Sequence, residues 1–82
     1  MTLRVTYEEQ ALNQAAGFLT DDPAGVSAAM DAVDLLSEDP RPAASIPWGS
    51  PDLRRLHVGR YRVIYRIVGD VVSVWHIGRL AR

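Results

Sequence analysis

The chain has 82 residues, enough for one small domain, and a hydrophobic content of 48% with two tryptophans excludes an intrinsically disordered protein. The absence of cysteine excludes disulfides and thiolate metal sites, and no stretch of the sequence approaches the roughly 20 apolar residues of a membrane-spanning helix. The net charge is only −1. The first residues lack a basic region followed by an apolar segment, so we expect a cytoplasmic protein without a signal peptide.

The first predicted element is a short strand over residues 3–7, where polar and apolar side chains alternate. Thr6 and Glu9 have the spacing of a capping box, which predicts the start of a helix. Apolar residues then recur at helical spacing as far as Leu19, so a first helix is predicted over about residues 7–19.

A second helix is predicted from Asp22, which is a favourable N-cap, because Pro23 suits the first helical position. It should run to about Ser37. Residues 40–52 contain four of the five prolines and predict a loop. Within it, Trp48 is interpreted as a plug that packs the loop onto the sheet, with stacking on a nucleic-acid base as the alternative.

The second half of the chain predicts three strands, over about residues 53–58, 60–68 and 71–78. Tight turns at Gly59-Arg60 and Gly69-Asp70 would join them. The order is therefore β-α-α-β-β-β in a single domain. It predicts an α+β fold, with a mainly antiparallel sheet and both helices on one of its faces.

The strand that begins at residue 60 alternates strictly between two kinds of side chain. Those suited to a core point one way, namely Tyr61, Val63, Tyr65 and Ile67. A row made mostly of arginines points the other way, namely Arg60, Arg62, Ile64 and Arg66. Such a row of guanidinium groups suits a polyanion such as RNA.

The charges are divided along the chain in a way that agrees with this interpretation. Residues 1–53 carry two arginines against nine acidic residues, a net of −7, and residues 54–82 carry seven arginines against one aspartate, a net of +6. The second half would then meet an anion. The alternative is internal neutralisation, in which acidic helices lie against a basic sheet.

The last strand is predicted to be apolar on both faces. Val72 and Val74 would share one face, and Val71, Trp75 and Ile77 the other. Because the helices can cover only one face, a partner protein should cover part of the second. His76, within this strand, is interpreted as a structural residue hydrogen-bonded at the sheet end.

Two segments carry a family resemblance: Arg-Leu-His-Val-Gly-Arg-Tyr-Arg-Val-Ile-Tyr at residues 55–65, and the valine-rich strand from Val71 to Arg79. They resemble the RelE/ParE superfamily of bacterial toxins from type II toxin–antitoxin modules. The resemblance covers essentially the whole chain and is specific over residues 53–79. It implies the same fold, a RelB-like antitoxin partner, and cleavage of mRNA, in the ribosomal A site, without a metal or other cofactor.

The resemblance also implies roles for individual residues. In ribonuclease members, the arginine of the Tyr-Arg-x-x-Tyr step, here Arg62, holds the scissile phosphate, with help from Arg55 and Arg79. The alternative for Arg62 is a solvated strand face or a contact with the antitoxin. Basic residues commonly occupy the positions of Arg55 and His57, which lie two residues apart on one strand face, roughly 7 Å from each other. Because arginine keeps its proton at physiological pH, His57 is the acid–base candidate, with a non-catalytic surface histidine as the alternative. Further arginines would bind RNA, namely Arg54, Arg60, Arg66 and Arg82.

The carboxyl terminus departs from the pattern of catalytic members. They place histidine or arginine two residues after the glycine of the last strand, where this chain has Leu80, and often a tyrosine in a further tail. Two alternatives to the ribonuclease are therefore a ParE-like, non-enzymatic inhibitor of DNA gyrase and a degenerate toxin that only binds its antitoxin. In each case the antitoxin is expected to present an acidic amphipathic segment to the arginine row.

Overall fold

The computed structural model describes residues 2–80 of the chain. Its elements are β1 (Arg4–Tyr7), α1 (Glu9–Leu19), α2 (Pro23–Asp34), a short 3-10 helix (Leu35–Ser37), β2 (Ser45–Ser50), β3 (Leu53–Val58), β4 (Tyr61–Val68) and β5 (Val71–Arg79). The strands form one sheet in the order β1-β5-β4-β3-β2, in which β1 and β5 are parallel and the other neighbours antiparallel. Neither α1 nor α2 is long and apolar enough to cross a membrane.

The core lies between the two helices and one face of the sheet, which confirms the predicted α+β arrangement. The four core positions predicted in β4 are all buried, namely Tyr61, Val63, Tyr65 and Ile67. Both tyrosine hydroxyls find acceptors at the rim of the core, because Tyr61 donates to Asp22 Oδ2 at 2.8 Å and Tyr65 donates to the Pro40 carbonyl at 2.6 Å. The alternation of β4 therefore fixes which face the helices cover.

Residues 45–50 form an edge strand, β2, so the prediction of a loop over the whole of residues 40–52 is wrong. Pro47 is tolerated because an edge strand leaves one row of backbone groups unpaired. The pairing with β3 shifts register between Pro47 and Ser50, where Gly49 adopts a positive φ of 85°. A bulged strand rich in proline and glycine has no clear alternation, which explains why the sequence did not reveal it.

The two helices begin differently. At α2, the backbone N–H of Gly25 donates to Asp22 Oδ1 at 3.1 Å, and Pro23 occupies the first turn, as predicted. The capping box predicted from Thr6 and Glu9 is wrong. Thr6 lies in β1 opposite Ser73, and α1 starts at Glu9 with no side-chain cap.

Gly25→Ala is expected to destabilise the protein by roughly 1–3 kcal/mol, the usual cost of overpacking. A Cβ atom at this position would lie 2.8 Å from both Asp22 Cγ and Tyr61 Cε2, so the cap and a buried ring would have to move. Gly17→Ala, in α1, is the matched control, since a Cβ there meets nothing within 4 Å. It should stabilise by about 0.5–1 kcal/mol. Urea unfolding of both variants measures the difference, and equal effects would contradict the packing argument.

A β-bulge in β5 reverses the alternation of that strand. Ile64 pairs with His76 but Tyr65 pairs with Val74, so Trp75 is an extra residue between the two pairs. Beyond the bulge, Ile77 faces the core and is 2% exposed. The prediction that Ile77 shares a face with Trp75 is therefore wrong, and the bulge places His76 on the face opposite the core.

Helix α1 protects the part of the β5 edge that β1 does not reach. The pairing of β1 with β5 ends at Val74, and beyond it two glutamines of α1 form hydrogen bonds with the backbone of β5. Gln10 Nε2 donates to the Trp75 carbonyl at 2.9 Å, and the backbone N–H of Ile77 donates to Gln14 Oε1 at 2.8 Å. These bonds satisfy an edge that would otherwise be free to pair with another chain.

Candidate functional site

The face of the sheet opposite the helices, here called the open face, brings three of the predicted site residues together. In one row across the strands, His57 of β3 stands opposite Arg62 of β4, which stands opposite Gly78 of β5. The next row contains Arg55, Ile64 and His76. Because directly opposed residues have Cβ atoms about 4.5–5.5 Å apart, His57 and Arg62 are immediate neighbours.

Arg62 adjoins a cavity of about 170 Å³, which is also lined by Gly78, its neighbour on β5. The remaining lining residues are His76, Arg79 and Leu80. The Nε atom of Arg62 is shielded from solvent and has no hydrogen-bond partner among residues 2–80, and the same is true of Arg55 Nε. Buried donors are nearly always paired in native proteins, so these two Nε atoms are exceptions within the described residues.

Two tryptophans stack against arginines of the open face. The guanidinium carbon of Arg66 lies 4.4 Å from the ring centroid of Trp75, and that of Arg55 lies 5.8 Å from the ring centroid of Trp48. The interpretation of Trp48 as a plug is wrong, since this side chain is half exposed on the edge strand. An exposed indole beside an arginine is a surface on which a nucleic-acid base can stack.

Arg60 does not join the arginine row, because the Gly59-Arg60 turn carries its side chain toward the helices, where it lies 3.3 Å from Asp22. The prediction that it shares a face with Arg62 is wrong.

Arg79 lines the cavity, but its guanidinium pairs with Asp21 at 2.9 Å and stacks over Phe18 at 4.6 Å. Internal neutralisation, the alternative considered from the charge pattern, therefore occurs at the start of α2, where Asp21 pairs with Arg79 and Asp22 with Arg60.

Within residues 2–80, no carboxylate lies within salt-bridge distance of Arg55, Arg62 or Arg66. These three arginines therefore form a basic surface that residues 2–80 leave without an ion pair. No group of three or more histidine or acidic side chains in the same part of the chain is placed to hold a metal ion.

Arg54, predicted to bind RNA, lies on the core side of β3 and is only 9% exposed. Its guanidinium donates to Ser45 Oγ at 2.8 Å and to the Pro51 carbonyl at 2.9 Å, so it fastens β2 to β3. It cannot reach a ligand on the open face, and that part of the prediction is wrong. Arg82, also predicted to bind RNA, lies outside the described residues.

His76, like Trp75, is a residue of this surface that the sequence interpretation did not assign to the site. The bulge turns it toward the open face, where it meets the cavity beside Arg62, and its Nδ1 lies 2.9 Å from Gln14 Nε2. The predicted hydrogen bond is therefore present, but the position is not purely structural. A glycine inside a valine-rich strand is the one sequence signal that could have indicated a space there.

The carboxylates at the start of α2 make stability depend on pH. Hydrogen bonds from Arg79 hold the pKa of Asp21 below its ordinary value of 3.8, and hydrogen bonds from the Tyr61 hydroxyl and the Gly25 N–H do the same for the pKa of Asp22. A carboxylate whose pKa is lowered on folding contributes stability that is complete above the unfolded value and is lost as the pH falls through the folded value.

We therefore expect the melting temperature to fall as the pH drops below 3.8, the ordinary pKa of these carboxyls. Asp22→Asn keeps a favourable cap but removes the titrating group, so its melting temperature should fall less steeply over the same range. Thermal unfolding from neutral pH to about pH 2 compares the two proteins. Parallel curves would show that Asp22 does not contribute to acid sensitivity.

Comparison with known proteins supplies the family. The model of the ParE toxin of type II toxin–antitoxin systems matches residues 7–82. The chain belongs to this family. It is therefore a toxin component of a type II toxin–antitoxin module, within the RelE/ParE superfamily indicated by the sequence resemblance. Among curated proteins, no significant sequence match was found.

Solved structures of other toxins share the fold of this ParE-family chain. The archaeal RelE–RelB complex from Pyrococcus horikoshii OT3 matches with a TM-score of 0.81 and 26% identity, over 100% of this chain and 99% of the other. The RelBE complex from Mycobacterium tuberculosis matches with a TM-score of 0.79 and 18% identity, over 96% of this chain and 99% of the other. The chromosomal ParDE system of P. aeruginosa matches with a TM-score of 0.78 and 14% identity, over 96% of this chain and 97% of the other. At these identities the last two matches show a likeness of fold alone.

Proposed function

We propose that this toxin is an endoribonuclease that cleaves mRNA in the ribosomal A site in the cytoplasm. The observation that carries the proposal is the row in which His57 stands directly opposite Arg62, beside a cavity and near Arg55 and Arg66, which like Arg62 form no ion pair within residues 2–80. It combines a rigid guanidinium fork for a phosphate with an imidazole, whose two ring nitrogens can donate and accept protons.

In the proposed reaction, an RNA 2′-hydroxyl attacks its own 3′ phosphate and the 5′ oxygen of the next nucleotide leaves. Arg62 donates hydrogen bonds to the phosphate oxygens as negative charge develops on them. His57 accepts the proton of the 2′-hydroxyl or supplies one to the leaving oxygen, which are the two proton transfers that the step requires. Arg79 adds positive charge at the rim of the cavity, although Asp21 holds its guanidinium.

The remaining basic residues of the open face would bind the RNA chain on either side of this centre. Arg55 with Trp48 and Arg66 with Trp75 each offer one positive charge and one aromatic surface. Base stacking on aromatic side chains and phosphate binding by arginine are the usual means of holding single-stranded RNA. Among the described residues, the arginines of the open face proposed to contact RNA are then Arg55, Arg62 and Arg66. Arg54 and Arg60 are not among them.

The partner that silences the toxin is proposed to be a RelB-like antitoxin whose acidic amphipathic segment lies across the open face. Structures of related toxins are described as complexes with their antitoxins, namely RelE with RelB and DinJ with YafQ. Arg55, Arg62 and Arg66 have no carboxylate of their own chain within salt-bridge distance in the described part of the structure, so an acidic segment would be electrostatically complementary.

The test is induced expression in a bacterium, with and without the adjacent open reading frame, followed by mapping of mRNA 5′ ends. Growth arrest accompanied by new 5′ ends within codons, both suppressed by the adjacent gene product, is the expected result. Purified ribosomes carrying a defined mRNA then separate direct from indirect cleavage. Growth arrest without new 5′ ends would refute the ribonuclease.

A second candidate is a non-enzymatic inhibitor of DNA gyrase. Leu80 favours it, because this side chain lines the cavity at the position where the resemblance places an acid–base residue in catalytic members. The match to the ParE family agrees with it. Purified toxin that blocks gyrase supercoiling and leaves RNA intact, with and without ribosomes, would establish this activity instead.

A further inference from the structure

His76 and Gln14 form a hydrogen-bonded pair whose donor and acceptor roles can be assigned. The backbone N–H of Ile77 donates to Gln14 Oε1 at 2.8 Å, which turns the amide nitrogen of Gln14 toward His76 Nδ1 at 2.9 Å. The opposite orientation of the amide would place its NH₂ group against the Ile77 N–H, so that two donors would face each other.

An amide nitrogen can only donate, and therefore His76 Nδ1 must accept. A neutral imidazole that accepts at one nitrogen carries its hydrogen on the other. The ring hydrogen of His76 consequently lies on Nε2. Gln14 fixes this tautomer from the side of the ring that faces α1.

The Nε2 atom lies beside the phosphate-sized cavity next to Arg62. A Cβ atom at Gly78 would be only 2.9 Å from it, so the ring lies directly over the backbone that faces Arg62 across the β4–β5 pair. The charged groups that line the cavity are Arg62 and Arg79, the uncharged ones are Gly78 and Leu80, and none of the lining residues is acidic. Arginine and a neutral N–H donor around one space suit an anion.

We propose that His76 is a neutral hydrogen-bond donor to the phosphate that Arg62 binds, and that Gln14 is the positioning residue that fixes its tautomer. The inference rests on the proposed function only where it identifies this anion as an RNA phosphate. His76 binds the phosphate on the Gly78 side of Arg62 and transfers no proton. The proton transfers remain with His57, on the other side of Arg62.

The tautomer is tested by nitrogen NMR of the histidine rings. In the wild-type protein at slightly alkaline pH, His76 Nδ1 should be unprotonated and Nε2 protonated. Gln14→Glu removes the donor and supplies a second acceptor, so Nδ1 should become protonated. Gln10→Glu is the matched control. This substitution adds the same charge one turn earlier in α1, at a residue that bonds to the Trp75 carbonyl and not to His76. It should leave the ring nitrogens of His76 unchanged.

The anion site is tested with inorganic phosphate and with a short RNA whose 2′-hydroxyls are methylated, so that it cannot be cleaved. Phosphate should shift the His76 Nε2–H and Arg62 Nε–H signals along one saturation curve. His76→Ala should weaken the binding of both probes by roughly 10–100-fold, the usual loss for a hydrogen bond to a charged group. Gly78→Ala should weaken it as well, because the new Cβ must displace the ring.

The outcomes separate this site from the proposed enzyme. Phosphate binding that depends on His76, in a protein that cleaves no RNA, would refute the ribonuclease and leave the anion site standing. RNA cleavage at an unchanged rate in His76→Ala, with unchanged phosphate affinity, would overturn the site and leave the ribonuclease. A protonated Nδ1 in the wild-type protein would overturn the role assigned to Gln14.

Discussion

Arg62→Ala is expected to abolish the toxicity of this protein without unfolding it. In the proposed reaction the guanidinium meets charge that develops on the phosphate, and removal of one such donor typically costs a factor of about 10²–10³ in rate. The side chain lies on the face opposite the core, and its Nε has no partner among the described residues, so truncation leaves no new unpaired group. The free energy of unfolding should change by less than about 0.5 kcal/mol. Growth curves and urea unfolding of the purified variant measure the two effects.

Two further variants make this result specific. Arg41→Ala is the matched control, because Arg41 is an exposed arginine that pairs with Asp52 and does not line the cavity. It should remain toxic. Arg62→Lys keeps the charge but loses the bidentate fork, so it should recover only part of the activity. A fully toxic Arg62→Ala protein that melts like the wild type would show that Arg62 has no function.

Local chemical signals in the sequence were sufficient for most of the fold. The alternation of β4 identified the core face, because a side-chain period of two cannot place an arginine and its neighbouring tyrosine on the same side. Asp22 and Pro23 identified the start of α2, since a cap and a fixed φ act within one turn. Gly59 and Gly69 identified two hairpin turns, and both have a φ of 59°.

The features that were missed depend on partners distant in sequence. The bulge at Trp75 exists because β5 pairs with β4 in two registers, and one extra residue moves both His76 and Ile77 to the opposite face. The side chain of Arg60 points toward the helices because it pairs with Asp22, which lies 38 residues earlier in the chain. Arg54 is buried because Ser45 lies on a strand that the sequence pattern does not show. Composition and spacing carry none of this information.

His57→Ala is expected to lower the cleavage rate by about 10²–10⁴-fold, the usual range for one general acid–base group. His57 is exposed on the open face and stands opposite Arg62, so a phosphate held by Arg62 lies beside it. Arg55→Ala is the matched comparison on the same strand face. It should instead weaken RNA binding, with a reduced dependence of affinity on salt concentration. Single-turnover cleavage of a ribosome-bound mRNA, together with binding measured at several salt concentrations, separates the two effects.

Leu80→His should raise the activity, and the geometry of the row gives the reason. His57 lies on the β3 side of Arg62, whereas Leu80 lines the cavity on the β5 side, next to Gly78. A phosphate at Arg62 would then have a proton-transferring group on each side, since His76 is proposed only to donate a hydrogen bond. That suits a displacement that takes a proton from the attacking oxygen and gives one to the leaving oxygen. If His57→Ala cleaves as fast as the wild type and Leu80→His gains nothing, the acid–base assignment is wrong. Arg62 would then act by binding alone, and inhibition of gyrase supercoiling becomes the activity to measure.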